Sequence, residues 1–331
     1  MLTKLANIDI KLLRVFLAIV EAGGFAAAQA QLNLSPSRIS TLLADLEARL
    51  GMRLCQRGRV GFRLTDKGRA VHEASLQLFA ALEQFRARAG ALRGRLVGEL
   101  QIGIVDNTLT NPACRLAAAI GRFKARASDV HVTLQVLAPT DLEQAVLDQR
   151  LPAAIGAFHH HVAGLGYTPL FVEEQTLYCG SGHPFFRRND DSITAADIGS
   201  VDFVDRGYGG GVKARLPGAA FRIAAAANNM EAIATLILSG RYIGYLPTHC
   251  AAPWVERRQM RTLLPAKLAY ESLFELITRK GVERTPALQA FIEDLQALHG
   301  PGAVRAAADA PPRRQPRKPA ARGLNRASAA S

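Results

Sequence analysis

The sequence has little cysteine. Its four thiols, Cys55, Cys114, Cys179 and Cys250, stand far apart and form no CxxC pair. That spacing excludes a thiolate metal site or a disulfide framework and leaves reduced, mostly buried thiols. Cys179 and Cys250 lack an evident resolving partner or activating base for redox sensing. No apolar run of about 18 residues occurs, so no membrane span is expected. The opening MLTKLANIDIKLL lacks the basic start, apolar core and small cleavage site of a signal peptide, so a cytoplasmic protein is expected. No nucleophile motif such as GxSxG appears, which argues against an enzyme. The glycine-rich stretch Arg206 to Gly218, RGYGGGVKARLPG, misses the phosphate-loop spacing and reads as a flexible loop near a cleft mouth. His159 to His161 are three successive histidines, which cannot all face one ion from a regular element and have no Cys or acid beside them. No metal or cofactor is expected.

What is present is positive charge, unevenly placed. The net charge of +13 divides into +8 over residues 1–95, −1 over 96–300 and +6 over 301–331. A basic segment joined to a neutral body points to a polyanion-binding module attached to something else. The 331 residues exceed what one compact core usually holds. The tail 301–331, rich in Pro, Ala and Arg, cannot bury enough surface to offset its ordering entropy and reads as disordered and basic.

The basic N-terminal segment reads as a winged helix-turn-helix over 1–65. Asn7 or Asp9 caps a first helix carrying Ile10, Leu13, Phe16, Leu17 and Val20, which Gly23 and Gly24 stop. The alanines of Phe25 to Leu32 allow a second helix to pack closely. Ser35 caps a third, with Pro36 in its first turn. On that third helix Ile39, Leu42, Leu43 and Leu46 share one side. Ser37, Ser40, Thr41 and Ala44 share the other, with Pro36 and Arg38 at its margins. A small, hydroxyl-bearing face fits a groove, and a recognition helix reads base edges chiefly through its N-terminal residues. A hairpin of strands near Arg53–Gln56 and Phe62–Leu64, bearing Arg57, Arg59 and Arg63, reads as a wing on the DNA backbone. Thr65 then caps a linker helix, 66–92. There Val71, Leu78, Phe85 and Leu92 recur every seven residues, a seam suited to pairing with a second copy.

From about 96 strands and helices alternate, which argues an α/β domain over 93–300. Two successive sets divide it into lobe I, about 96–166 and 267–299, and lobe II, about 167–266. Ligands in such folds sit beyond the carboxyl ends of strands. This singles out Asp106, Asn107 and Thr108, then Ala138, Pro139 and Thr140, then Phe158, Arg206, Tyr208, Asn228 and Asn229. Arg206 and the nearby helix starts suit an anion such as a carboxylate. An ion pair of Arg206 with Asp205 or Asp202 is an equal alternative.

Residues 8–68 resemble the LysR-type transcriptional regulators. The matching skeleton is Ser35, Ile39, Ser40, Leu46, Glu47, Leu50, Gly51, Arg53, Leu54, Arg57, Leu64, Thr65 and Gly68. The stretches LQIGIV and LILSGRYIGYLP extend the resemblance to about residue 298. It implies an N-terminal winged helix-turn-helix, a dimerising linker helix and a two-lobed effector domain like periplasmic solute-binding proteins. It also implies double-stranded promoter DNA, RNA polymerase and a small-molecule effector as partners, in a homodimer or homotetramer. By position, Ser35, Pro36, Ser37, Ser40 and Thr41 would face DNA, Arg57, Arg59 and Arg63 would hold the backbone, and Asn107 would contact effector. Ala26, Pro36 and Thr41 depart from the family's usual residues, which shifts direct readout toward smaller contacts. The competing reading is a small-molecule receptor or enzyme on the same α/β fold, with only non-specific affinity for DNA.

Overall fold

The computed structural model describes residues 4, 6–58, 61–92, 95–207 and 220–308. Three helices open the chain: α1 (Asn7–Glu21), α2 (Phe25–Leu32) and α3 (Pro36–Leu50). They enclose a small core of Leu12, Phe16, Ile19, Ala28, Ile39, Leu43 and Leu46. The amphipathic spacing therefore produces the packing it implies. Neither Asn7 nor Asp9 caps α1. Ala6 holds the cap position, and the Asp9 carboxylate reaches back to accept from the Ala6 amide at 2.8 Å. The Ser35 hydroxyl accepts from the Arg38 amide at 3.3 Å, with Pro36 in the first turn as expected.

The wing consists of β1 (Cys55–Gly58) and β2 (Gly61–Leu64), paired antiparallel and starting later than the expected Arg53. Glu47 on α3 fastens it by accepting from the Leu54 amide at 2.7 Å. The Thr65 hydroxyl caps α4 (Asp66–Ala91), accepting from the Gly68 amide at 2.9 Å. A Cβ at Gly68 would lie 2.0 Å from the Leu54 carbonyl oxygen, so only glycine lets α4 leave the wing at this angle. The heptad seam of α4 divides in two. Val71 and Leu78 pack against the winged-helix core of their own chain. Leu82, Phe85 and Leu92 stay exposed, Phe85 at 74%.

The second domain is one mixed sheet. Its first half runs β3 (Gly98–Ile104), α5 (Leu116–Arg126), β4 (Val130–Val136), α6 (Pro139–Leu147) and β5 (Ala153–Ala157). A long strand, β6 (Leu165–Gly180), then crosses to the other half. There follow α7 (Ala195–Ser200), β7 (Asp202–Arg206), β8 (Arg222–Ala227), α8 (Met230–Leu238), β9 (Tyr242–Pro247), α9 (Thr248–Glu256), β10 (Met260–Thr262) and α10 (Pro265–Leu268). The return strand β11 (Tyr270–Arg279) pairs antiparallel with β6, and α11 (Pro286–Ala308) closes the chain. The strand order is β4-β3-β5-β11-β6-β9-β7-β8, with β10 beside β6. Two parallel triplets thus flank an antiparallel pair that passes between them.

Each half has its own core. Leu170 and Phe171 pack in the core of lobe I, whereas Leu177 packs in lobe II. The outward crossing therefore lies after residue 171, not at 167. On the return, Leu268 and Tyr270 still belong to lobe II and Phe274 to lobe I, so that crossing lies past the expected 267. The helix α11 breaks at Gly300 (φ 65°) and continues to Ala308, so residues 301–308 are helical and not the disordered stretch expected there. The remainder of the basic tail lies outside the described residues. Among the described residues no helix is long and apolar enough to cross a membrane.

Candidate functional site

The structure presents two surfaces with functional character, one on α3 and one between the lobes. Helix α3 is seated by Ile39, Leu43 and Leu46, all buried. Its opposite face exposes Pro36, Ser37, Arg38, Thr41 and Ala44, with Ser40 partly covered. Thr41 Oγ1 donates to the Ser37 carbonyl at 3.0 Å, and Ser35 Oγ lies 3.1 Å from Ser37 Oγ, so the Ser35 and Ser37 hydroxyls pair at the start of the helix. Four amides at a helix start have no partner within the helix, and the dipole there favours an anion. At the far end Arg49 grips Asp9 on α1, with Nη2 donating to Oδ2 at 2.9 Å. This contact and the Ala6 amide hold the Asp9 carboxyl below its usual range. The fastening locks the back of α3 and leaves its start outward. Arg63 on β2 is exposed, and Arg57 lies on β1. Arg59 lies outside the described residues.

Between the lobes is a small cavity of about 30 Å³. Val105, Pro139, Ala157, Met230, Pro247 and Phe274 form its apolar walls, and Asp106, His159, Glu173 and Arg206 bring polar groups. Asp106 lies in the turn just after β3, and its Oδ2 accepts from the Met230 amide of α8 at 2.6 Å. Glu173, on the crossing strand β6, is buried. It accepts from Asn111 Nδ2 at 3.2 Å and Gln175 Nε2 at 2.5 Å, and its Oε1 lies 2.8 Å from His249 Nε2. His249 Nδ1 in turn lies 2.8 Å from Thr110 Oγ1. Lobe I, the crossing strand and α9 of lobe II thus meet at one charged group.

Neither alternative for Arg206 is realised as an ion pair. Asp202 pairs with Arg222 at 2.7 Å, and Arg206 Nη2 donates to the Gln175 side chain at 2.6 Å. Arg206 Nε is buried without a hydrogen-bond partner among the described residues. Among the described residues the cavity thus gathers Asp106, Glu173, His159 and Arg206, with His249 against Glu173.

Of the residues singled out by sequence, Asp106, Pro139 and Arg206 line this cavity. Asn107 adopts φ 56° beside it and contacts Cys250, and Thr108 is buried in the same loop. Ala138 caps α6 and Thr140 lies in its first turn. Phe158 turns inward instead, buried in the core of lobe I and edge-on to Tyr167, because an aromatic ring after an apolar strand gains more from burial than from the cleft. Asn228 and Asn229 border a separate open depression with Gly207, Glu231 and Thr235, and Asn229 caps α8. Tyr208 lies outside the described residues. Sequence reasoning passed over Glu173, His249 and Met230. Glu173 opens the polar run Glu173–Thr176 within β6, which gives no sign that it alone turns to the cavity. His161 stacks on Tyr167 and lies 2.9 Å from Glu275, and no cluster able to hold a metal is found among the described residues.

Comparison with known proteins agrees with this division. The family model described as "Bacterial regulatory helix-turn-helix protein, lysR family" matches residues 10–69, and "LysR substrate binding domain" matches 93–299. The chain is 41% identical over 292 residues to the HTH-type transcriptional activator BauR of Pseudomonas aeruginosa, covering 88% of this chain and 96% of that one. It is 29% identical over 312 residues to the SDS degradation transcriptional activation protein of a Pseudomonas species, covering 90% and 99%. Among solved structures, full-length CbnR complexed with its target DNA superposes with a TM-score of 0.59 at 22% identity, covering 87% of this chain and 99% of that one. With a helix-turn-helix at one end, a two-lobed α/β domain at the other and both family models in register with them, the chain belongs to the LysR family of transcriptional regulators.

Proposed function

We propose that this regulator places the start of α3 in the major groove of promoter DNA and the wing against the adjoining backbone, and that a small molecule in the inter-lobe cavity controls its action on RNA polymerase. The observation that carries the reading is the outward face of α3, where exposed Ser37, Arg38 and Thr41 sit opposite a fully buried apolar side. Solvated helices usually carry long charged side chains, whereas this face is low and rich in hydroxyls. In this reading Ser35, Pro36 and Ser40 complete the DNA-facing start of the helix, and Arg57, Arg59 and Arg63 act through phosphates. Relatives named as activators favour activation as the direction of control. The exposed Leu82 and Phe85 on α4 and Leu92 just past its end favour a dimer, with a tetramer as a dimer of such dimers.

The test is fluorescence anisotropy of the full chain on DNA from upstream of its own gene and on a shuffled duplex of equal composition. The reading requires tighter binding to the native duplex and a steep fall in affinity with salt on both. Equal binding to the two duplexes contradicts it.

A further inference from the structure

We propose that Glu47 is a positioning residue for DNA binding. Its carboxylate sets the wing against the reading helix, so that base contact by the start of α3 and phosphate contact by the wing act as one unit. This rests on the reading of α3 and the wing as the DNA-facing surface. Glu47 lies near the far end of α3, about 15 Å along the helix from Ser37. It acts through the backbone it holds.

The main chain and the side chain of Glu47 have separate parts in this. The Glu47 carbonyl accepts from the Met52 amide at 3.1 Å, and the Ala48 carbonyl accepts from the Gly51 amide at 3.2 Å, with Gly51 at φ 67°. This pair of bonds ends α3 and turns the chain back along it. The chain then passes the Glu47 side chain, where a single oxygen, Oε1, accepts from two successive amides, Leu54 at 2.7 Å and Cys55 at 3.2 Å. Leu54 and Cys55 are both buried, so an acceptor from within the protein is what their amides require. A free carboxylate on a basic module would repel phosphates. This one is turned onto two N–H dipoles, and a bond to an ionised acceptor is stronger than a neutral one.

The placement of the wing follows from that clamp. Cys55 pairs with Leu64, Gln56 with Arg63 and Arg57 with Phe62. Arg63 therefore stands one rung beyond the clamped Cys55 amide, and Arg57 two. The Leu54 carbonyl accepts from the Thr65 amide at 2.9 Å, which holds the chain where it leaves the wing. A shift of Leu54 and Cys55 against α3 thus carries the backbone of both arginines with it. Phosphate contacts set register and base contacts carry sequence, so the clamp makes each depend on the other. The wing has other attachments. Leu54 and Cys55 sit in the winged-helix core, and Phe62 packs edge-on to Phe25 at 5.8 Å between centroids. Loss of the clamp therefore frees the angle of the wing without detaching it.

The experiment is fluorescence anisotropy of the full chain on the upstream duplex across a salt series. It compares wild type with Glu47→Ala, Glu47→Asp, Glu47→Gln, Arg63→Ala and Glu47→Ala combined with Arg63→Ala, and the unfolding midpoint of each reports its folding. Each phosphate contact adds about 0.9 to the slope of log affinity against log salt. Glu47→Ala should lower that slope by about one or more and weaken binding about tenfold. Arg63→Ala should then cost little further, since the wing it acts from is already free. Glu47→Gln keeps an acceptor oxygen in place and should restore the wild-type slope. Glu47→Asp keeps the charge but withdraws it by one methylene, so it should follow Glu47→Ala, and it serves in its place where Glu47→Ala does not fold. A wild-type slope in folded Glu47→Ala or Glu47→Asp, or effects of Glu47→Ala and Arg63→Ala that simply add, overturns the proposal and leaves Glu47 to the fold alone. A slope unchanged by Arg63→Ala in the wild-type background removes the wing from the DNA surface and the proposal with it. Selective binding of wild type to the upstream duplex in that case keeps the regulator reading, and its loss removes that reading too.

Discussion

Asp106 Oδ2 and the Met230 amide meet at 2.6 Å across the cleft, one from the turn after a lobe I strand and the other from the first turn of a lobe II helix. The contact satisfies one of the orphan amides at the start of α8 and sets a negative charge against its positive dipole end. Asp106→Ala removes the acceptor and leaves that amide to water. A loss of about 1 kcal/mol in unfolding free energy is expected. Small-angle scattering should show a more open effector domain, whereas Asp106→Asn should keep the compact form. An unchanged scattering profile for Asp106→Ala contradicts a role in holding the lobes.

The Asp9–Arg49 pair ties α1 to the back of α3. Arg49 and the Ala6 amide depress the Asp9 carboxyl in the folded chain. The native state therefore holds this proton less tightly than the unfolded chain. The stabilisation is present above the unfolded carboxylate range and is lost as pH falls through the depressed folded value. The unfolding midpoint of wild type should decline below about pH 4 more steeply than that of Asp9→Asn. Parallel pH profiles for the two proteins contradict the assignment.

Phe85 is exposed on α4, between Leu82 and Leu92 on the same open seam. A lone helix has no reason to display such a ring to water, and burial of one is worth about 1.5–3 kcal/mol. Phe85→Glu should shift light-scattering mass toward the monomer at micromolar concentration. A mass unchanged by this substitution moves the self-association surface elsewhere.

Burial pushes the Cys179 thiol up to about 12 and raises Cys250 as well. Thiolate is the reactive form, so both should resist alkylation at neutral pH in the native state and react fully in denaturant. Rapid native labelling of Cys250 followed by mass spectrometry contradicts this and reopens an oxidant-sensing role.

Much of the fold was legible because its signals are local. Ile39, Leu43 and Leu46 announce their helix by spacing, and Ser35 with Pro36 announces its start, and the structure has both. The strands Gly98–Ile104 and Tyr242–Pro247 overlap the stretches LQIGIV and LILSGRYIGYLP that carried the resemblance. The strand Arg222–Ala227 is mostly alanine, a poor strand former, and Met260–Thr262 is very short, so neither carries a clear strand signal. The site was less legible because it depends on pairing at long range. Glu173 joins Asn111 and His249 only because β6 crosses between lobes, and nothing in the surrounding sequence fixes that crossing. Phe158 was misplaced for the same reason, since whether the end of a strand faces cleft or core is decided by a partner far along the chain.

The central claim is that the outward start of α3 reads DNA. The most direct measurement is the affinity of Ser37→Glu combined with Thr41→Glu for the upstream duplex, beside wild type and with the unfolding midpoint as a control. Both residues are exposed, so the fold should persist while two carboxylates face the phosphates. The account predicts loss of about tenfold or more in affinity, with selectivity over the shuffled duplex abolished. A folded variant that binds the upstream duplex as tightly and selectively as wild type would contradict it.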